Sequence, residues 1–199
     1  VSETAAKQTE HMTVDEFLAW DGAGHIGKLE LVEGRVRAMS PASGTHALVQ
    51  GNLAGLLWAA FRARKSPCRV GTEAPISPRI HANDNVRAPD LAVTCAPVTN
   101  DKLFPEPVLI VEVLSPTNRR ETWESIRAIA SVPSLKEILV VDSEKRWAEI
   151  FRREADGSWP VHGQSRLEDQ GTIDLESIGV TFSLADVYEG THLAAEPSA

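Results

Sequence analysis

The chain has 199 residues, enough for one compact domain with its own hydrophobic core, and its apolar content of 42 % is that of an ordinary globular protein. A formal net charge of -8 argues against a broad basic surface for nucleic acid, though not against a local basic groove. No apolar run reaches membrane-spanning length and no signal-peptide pattern is visible, so a cytoplasmic protein with no membrane partner is expected.

In chain order, "VSETAAKQTE" is polar and without period, and a flexible N-terminal tail is expected over 1–11. "MTVDEFLAWD" predicts a short helix: Thr13 caps it, Glu16 completes a capping box, and Phe17 and Trp20 share the inner face. "KLELVEGRVRAMS" alternates on either side of "EG" and predicts a hairpin with Gly34 in its turn. The best helix runs from about Thr45 to Arg64. Leu48, Val49, Leu53, Leu56, Leu57, Ala60 and Phe61 form its apolar stripe, and Arg62, Arg64 and Lys65 suit its C-terminus as a solvated end. Strand text follows in "CRVGTEAPIS", then a loop in "PRIHANDN".

"DLAVTC" and "VLIVEVL" are strands, and the second is apolar on both faces, which places it centrally in a sheet. "RRETWESIRAIASV" predicts a helix of about three turns. "EILVVD" is another buried strand, and "RWAEIFRREADGSW" an outer strand leaving through an Asp156-Gly157 turn. "TIDLESIGVTFSLADVYEG" supplies a short strand and a terminal helical turn, and 191–199 reads as a C-terminal tail. Strands mixed with two substantial helices indicate a single α/β (mixed α+β) domain over 12–190. Its central mixed sheet should hold "DLAVTC", "VLIVEVL" and "EILVVD" as neighbours, with the long helix packed across it.

Cys68 and Cys95 stand in strand-like text, lack C-x-x-C spacing and are too few for a disulfide framework, so buried thiols are expected. There is no G-x-S-x-G, no Walker motif, no G-x-G-x-x-G and no histidine cluster with zinc spacing. No organic cofactor is expected. Trp58, Trp123 and Trp147 read as core or interface residues, and Ser115 as a residue that satisfies backbone at a strand end.

Two acids stand beside apolar neighbours: Asp90, directly after Pro89, and Glu112, between Val111 and Val113. Proline keeps out of paired central strands, so Asp90 belongs at a strand start or bulge. Neighbouring strands would bring both carboxylates to one spot, where they repel unless a cation lies between them. A hard ion, Mg²⁺ or Mn²⁺, suits all-oxygen ligands and activates water. The structural alternative is that Asp90 caps a turn and Glu112 pairs with an arginine such as Arg119.

"MTVDEFLAW", "LELVEGRVRAMSPASGTHALVQGNLAGLL", "VRAPDLAV", "LIVEVLSPTN" and "VPSLKEILVVD" resemble, in order and spacing, the Uma2 (DUF820) family of restriction-endonuclease-like proteins of the PD-(D/E)XK type. The resemblance runs from about Met12 to about Tyr188. It implies a mixed sheet flanked by helices and divalent-metal-dependent hydrolysis of DNA. Asp90 matches the Asp of the family's "PD" and Glu112 the acid of its (D/E)-x-K equivalent, both as metal ligands. Glu33 and Glu30 match the acids of "ELVEG", and His46 a polar position at the start of the long helix, with Gln50 near the same place. Glu73 alternates with apolar neighbours and faces either the pocket or water.

The sequence departs from the pattern at the lysine. Leu114 stands where the motif has it, and on the following helix, where relatives carry D-x-x-x-K-x-x-x-Y, Glu121 matches the acid but Ser125 and Ile129 stand at the lysine and tyrosine positions. That lysine positions water and offsets charge growing on phosphate. Arg119, Arg120 or Arg127 is the nearest substitute, with Lys28 and Lys136 more distant. The expected site therefore has Asp90 and Glu112 sharing an ion, a third oxygen from Glu33, Glu73 or the His46 neighbourhood, and no lysine ammonium. The alternatives are a catalytically impaired member of the fold that binds nucleic acid, and an interaction protein that pairs through "RWAEIFRR". A homodimer is expected, with Trp147, Ile150 and Phe151 of that outer strand supplying contact area.

Overall fold

The computed structural model describes residues 11–25 and 27–194. Of the tails expected over 1–11 and 191–199, residues 1–10 and 195–199 lie outside the described residues. Helix α1 (Val14–Ala19) starts as its sequence requires: the Thr13 hydroxyl accepts from the Glu16 N–H, and the Glu16 carboxylate accepts from the Thr13 N–H. Strands β1 (Leu29–Val32) and β2 (Arg35–Ala38) form the expected hairpin. Glu33 and Gly34 make its two-residue turn, both with positive φ (49° and 75°), the combination that matches the twist of the flanking strands.

Helix α2 (Gly44–Ala63) is capped by Ser43, and its buried face is the four-residue row Val49, Leu53, Leu57 and Phe61. Leu48, assigned to that face above, is 48 % exposed, because it lies about 100° round the helix from Val49.

The main sheet has six strands: β3 (Arg69–Thr72), β4 (Leu91–Thr94), β5 (Pro107–Leu114), β6 (Glu137–Asp142), β7 (Trp147–Arg152) and β8 (Ser165–Glu168), in that spatial order. β5 and β6 run parallel, joined by helix α3 (Arg119–Ile129), and every other pair is antiparallel. The mixed sheet and the adjacency of β4, β5 and β6 agree with the sequence reading. "TIDLESIGVTFSLADVYEG" forms two strands, β9 (Thr172–Leu175) and β10 (Val180–Ser183), before helix α4 (Leu184–Val187).

Strand alternation divides the core. Leu109, Val111 and Val113 of β5 pack with the buried row of α2, while Ile110 and Leu114 pack with Ile126 and Ile129 of α3. Each face of the sheet thus has its own helix layer.

Two expectations about strand neighbours are corrected. β7 is not the outer strand: β8 pairs along its free side, and Trp147, Ile150 and Phe151 are buried in the core, so they offer no surface to a second subunit. The register of β3 on β4 continues to set Cys68 opposite Cys95, and the two form a disulfide rather than two thiols. Among the described residues no helix is long and apolar enough to cross a membrane.

Candidate active site

The register of β4 on β5 pairs Leu91 with Val111 and Ala92 with Ile110. One step further, Asp90 faces Glu112. Both share the parity of Ala92 and Ile110, so both point to the α3 side of the sheet. Residues opposed in this way stand roughly 4.5–5.5 Å apart at Cβ. Pro89 ends the pairing here, which frees Asp90 from the ladder and lets its Oδ2 accept from the Val113 N–H at 2.8 Å. The side chain of Gln50, from the first half of α2, donates to the Asp90 carbonyl at 2.9 Å. His46, one turn earlier, places Nε2 3.4 Å from Asp90 Oδ2.

An ammonium reaches these acids from the segment that leads into the hairpin. Lys28 precedes β1, and its Nζ lies 3.4 Å from Asp90 Oδ1. Lys28, Glu30, Met39, Asp90, Glu112, Asn118, Thr122 and Ser125 enclose a cavity of about 20 Å³, room for one water-sized body. The Lys28 and Asp90 side chains are 14 % and 8 % exposed, so the cavity is nearly shut. Lys28 and Glu30, two apart on extended chain, face it together, and Glu30 is neutralised separately: it accepts from Ala88 N–H at 3.0 Å and pairs with the Arg87 guanidinium at 3.3 Å. Ser125, in the wall of the same cavity, has no partner for its buried hydroxyl.

The charges are unequal: two carboxylates face one ammonium. Burial pushes the Asp90 carboxyl up, but the His46 hydrogen bond, the Lys28 and His46 charges and the Val113 N–H outweigh it and hold it below its ordinary value. Glu112 goes the other way. Burial and the Asp90 charge raise it well above the carboxylate range, and Lys28 and the Asp90 N–H offset only part of this. Burial disfavours the Lys28 ammonium, yet Glu112, Asp90, Glu30 and Glu73 together raise it above its ordinary value. The pair that could hold a hard cation is Asp90 with Glu112. Among the described residues no group of three or more His, Cys, Asp or Glu side chains is placed to hold a metal ion.

The structure brings Asp90, Glu112, His46 and Gln50 together. Glu33 goes elsewhere: its carboxylate, in the exposed hairpin turn, lies 4.0 Å from His81 Nε2. Glu73 is exposed beside the site; its N–H donates to the Asp90 carbonyl at 3.2 Å. Arg119 pairs with Asp142 at 2.6 Å, so it neither substitutes for the lysine nor pairs with Glu112. Arg120 pairs with Glu121 and Glu124, Arg127 is exposed, and Lys136 is exposed just before β6. The expectation of a site without a lysine ammonium is therefore overturned by Lys28. The signal in the sequence was Lys28 itself, two residues before Glu30 on the same extended segment.

A six-stranded mixed sheet between helix layers, with one acid just before β4 facing another on β5, defines the class: this is a nuclease-fold protein. The fold is similar to the crystal structure described as "a putative nuclease belonging to DUF820" from Anabaena variabilis ATCC 29413. The TM-score is 0.65 at 16 % identity, over 89 % of this chain and 97 % of that one. The sequence matches the Uma2 family, "Putative restriction endonuclease", over residues 14–185, and the chain belongs to that family. It is also 26 % identical over 182 residues to "Uncharacterized protein slr1290" of Synechocystis sp. (strain ATCC 27184 / PCC 6803 / Kazusa), covering 90 % of this chain and 92 % of that protein.

Proposed function

We propose that the protein hydrolyses DNA phosphodiester bonds with a divalent cation, Mg²⁺ or Mn²⁺, held by Asp90 and Glu112. The observation that carries this reading is Lys28 Nζ, 3.4 Å from Asp90 Oδ1 in the same cavity as Glu112. The donor set fits a hard ion: Asp90 and Glu112 offer carboxyl oxygens side by side, Glu112 would give up its raised proton to the cation, and such ions take their remaining ligands from water and phosphate. A cation bound there supplies Lewis acidity towards a phosphoryl oxygen and makes water more acidic. The residues do the rest. His46, Gln50 and Val113 fix the Asp90 carboxylate and backbone, Arg87 pairs with the neighbouring Glu30 carboxylate, and Lys28 offsets charge that grows on the phosphate. A two-fold dimer would present one such site to each DNA strand, through a surface other than β7.

The second reading is a nuclease-fold protein that binds nucleic acid without cutting it. The lack of a third ligating side chain among the described residues favours it over an active enzyme, and so does a cavity of about 20 Å³ with Met39 in its wall. Mn²⁺ calorimetry and plasmid nicking on wild type, Asp90→Ala and Lys28→Met separate the two. Hydrolysis requires nicking by wild type, loss of nicking in both variants, and Mn²⁺ binding retained in Lys28→Met. Wild type that does not nick leaves the second reading.

A further inference from the structure

Between Glu33 and Glu73 the chain has no Asp or Glu, although these number 28 in 199 residues. The same stretch has Arg35, Arg37, Arg62, Arg64, Lys65 and Arg69. It is a local exception to the net charge of -8, and its basic end is built into a shape. Where α2 passes into β3, Trp58, Phe61, Arg62, Lys65, Ser66 and Arg69 line a groove of about 720 Å³, and no lining residue is acidic.

Trp58 is 57 % exposed, and the Arg62 guanidinium lies over its ring, 4.8 Å from the centroid. Arg69 is held in place by the carbonyls of Ser66 and Cys68, at 3.0 and 2.8 Å. Arg64 engages both terminal nitrogens with the carbonyls of Gly179 and Ile178, whereas Arg69 engages only Nη1. That leaves Arg62, Lys65 and Arg69 facing outward, and among the described residues none of the three pairs with a carboxylate.

We infer that this groove binds single-stranded DNA, with a base stacked on Trp58 and consecutive phosphates on Arg62, Lys65 and Arg69. An exposed indole offers a face to an unstacked base, and sequence-neutral strand binding combines such a platform with cations along the backbone. A duplex keeps its bases stacked and would leave the indole unused. An acidic peptide would satisfy the cations but not the ring. The inference rests on the nucleic-acid reading above for the identity of the polyanion. The groove is separate from the carboxylates: from His46, beside Asp90, to Trp58 is about 18 Å along α2.

The test is fluorescence anisotropy of a labelled thymidine oligonucleotide with the full chain in chelator, where no hydrolysis occurs, over a salt series. Trp58→Ala should weaken binding between about fivefold and about a hundredfold, the value of one stacked base. Arg62→Ala with Lys65→Ala should lower the slope of log affinity against log salt by about 0.7 per removed cation. Both changes are at exposed positions, and an unchanged melting temperature confirms the fold. Variants that bind as wild type does, or wild type that binds no oligonucleotide or prefers a blunt duplex or a polyglutamate peptide, would overturn the assignment. Plasmid nicking is read separately with Mn²⁺. Groove-dependent binding without nicking removes the hydrolytic reading and keeps the groove, and nicking with groove-independent binding does the reverse.

Discussion

Glu112→Gln should stabilise the protein at neutral pH, by an amount that grows with pH. Glu112 is 5 % exposed and faces Asp90 across β4 and β5, and burial together with the Asp90 charge holds its carboxyl well above the ordinary range. In the unfolded chain the same group titrates near its ordinary value of about 4.3. A carboxyl raised by folding contributes fully below the unfolded value, and its contribution is lost as pH rises through the folded value. Each unit of difference amounts to about 1.4 kcal/mol, so at pH 7.5 the loss is capped at about 4 kcal/mol. Glutamine has no charge to lose, keeps the volume, and keeps an acceptor for the Asp90 N–H. Lys28 gives up one partner but retains Asp90 at 3.4 Å. The expected gain at pH 7.5 is thus about 1–4 kcal/mol. Urea denaturation in chelator at pH 5, 6, 7 and 8 measures it as a rise in midpoint at constant slope. A glutamine variant that is no more stable than wild type at pH 8, or a gain that does not change with pH, refutes the reasoning. If the cation reading is right, Mn²⁺ at a hundred times its dissociation constant should add about 2.7 kcal/mol to wild type and much less to the variant.

Tyr188 is fully buried, with its hydroxyl 2.7 Å from the Asp142 carbonyl and accepting from the Trp147 N–H at 3.1 Å, and burial pushes it up to about 12. Tyr188→Phe should cost about 1–3 kcal/mol at pH 8, and that deficit should shrink by about 1.4 kcal/mol at pH 11, where only the unfolded tyrosine ionises. A deficit that is equal at both pH values in urea titrations counts against this. Arg87→Met leaves the buried Glu30 carboxylate with only the Ala88 N–H and should destabilise by about 3–5 kcal/mol, read from the same titrations. Reducing the Cys68–Cys95 bridge, which spans 27 residues, should lower stability by about 3–4 kcal/mol, seen by comparing denaturation with and without dithiothreitol.

Local features of the chain were readable because their causes are local. Thr13 and Glu16 satisfy helix-end donors three residues apart, "EG" supplies two positive-φ positions in sequence, and the row Val49, Leu53, Leu57 and Phe61 repeats at helical spacing. The apolar runs of β5 and β6 marked the middle of the sheet, and a carboxylate inside such a run marked Glu112 as a site residue. Strand neighbours were harder. β8, "SRLE", is short and polar, so nothing in it announced that it would cover β7 and bury Trp147. The disulfide depends on β3 lying antiparallel to β4 in a register that sets Cys68 opposite Cys95. The lysine was least visible of all. Lys28 reaches Asp90 across 62 residues because the β1–β2 hairpin pairs with the segment leading into β4 through the Leu31–Val86 bridge, and Ser125 lines the small space that it enters. Short-range sequence periodicity specifies turns, caps and buried faces. Which charges meet in a cavity is set by the docking of elements far apart in the chain, and it was that docking which placed an ammonium beside two acids.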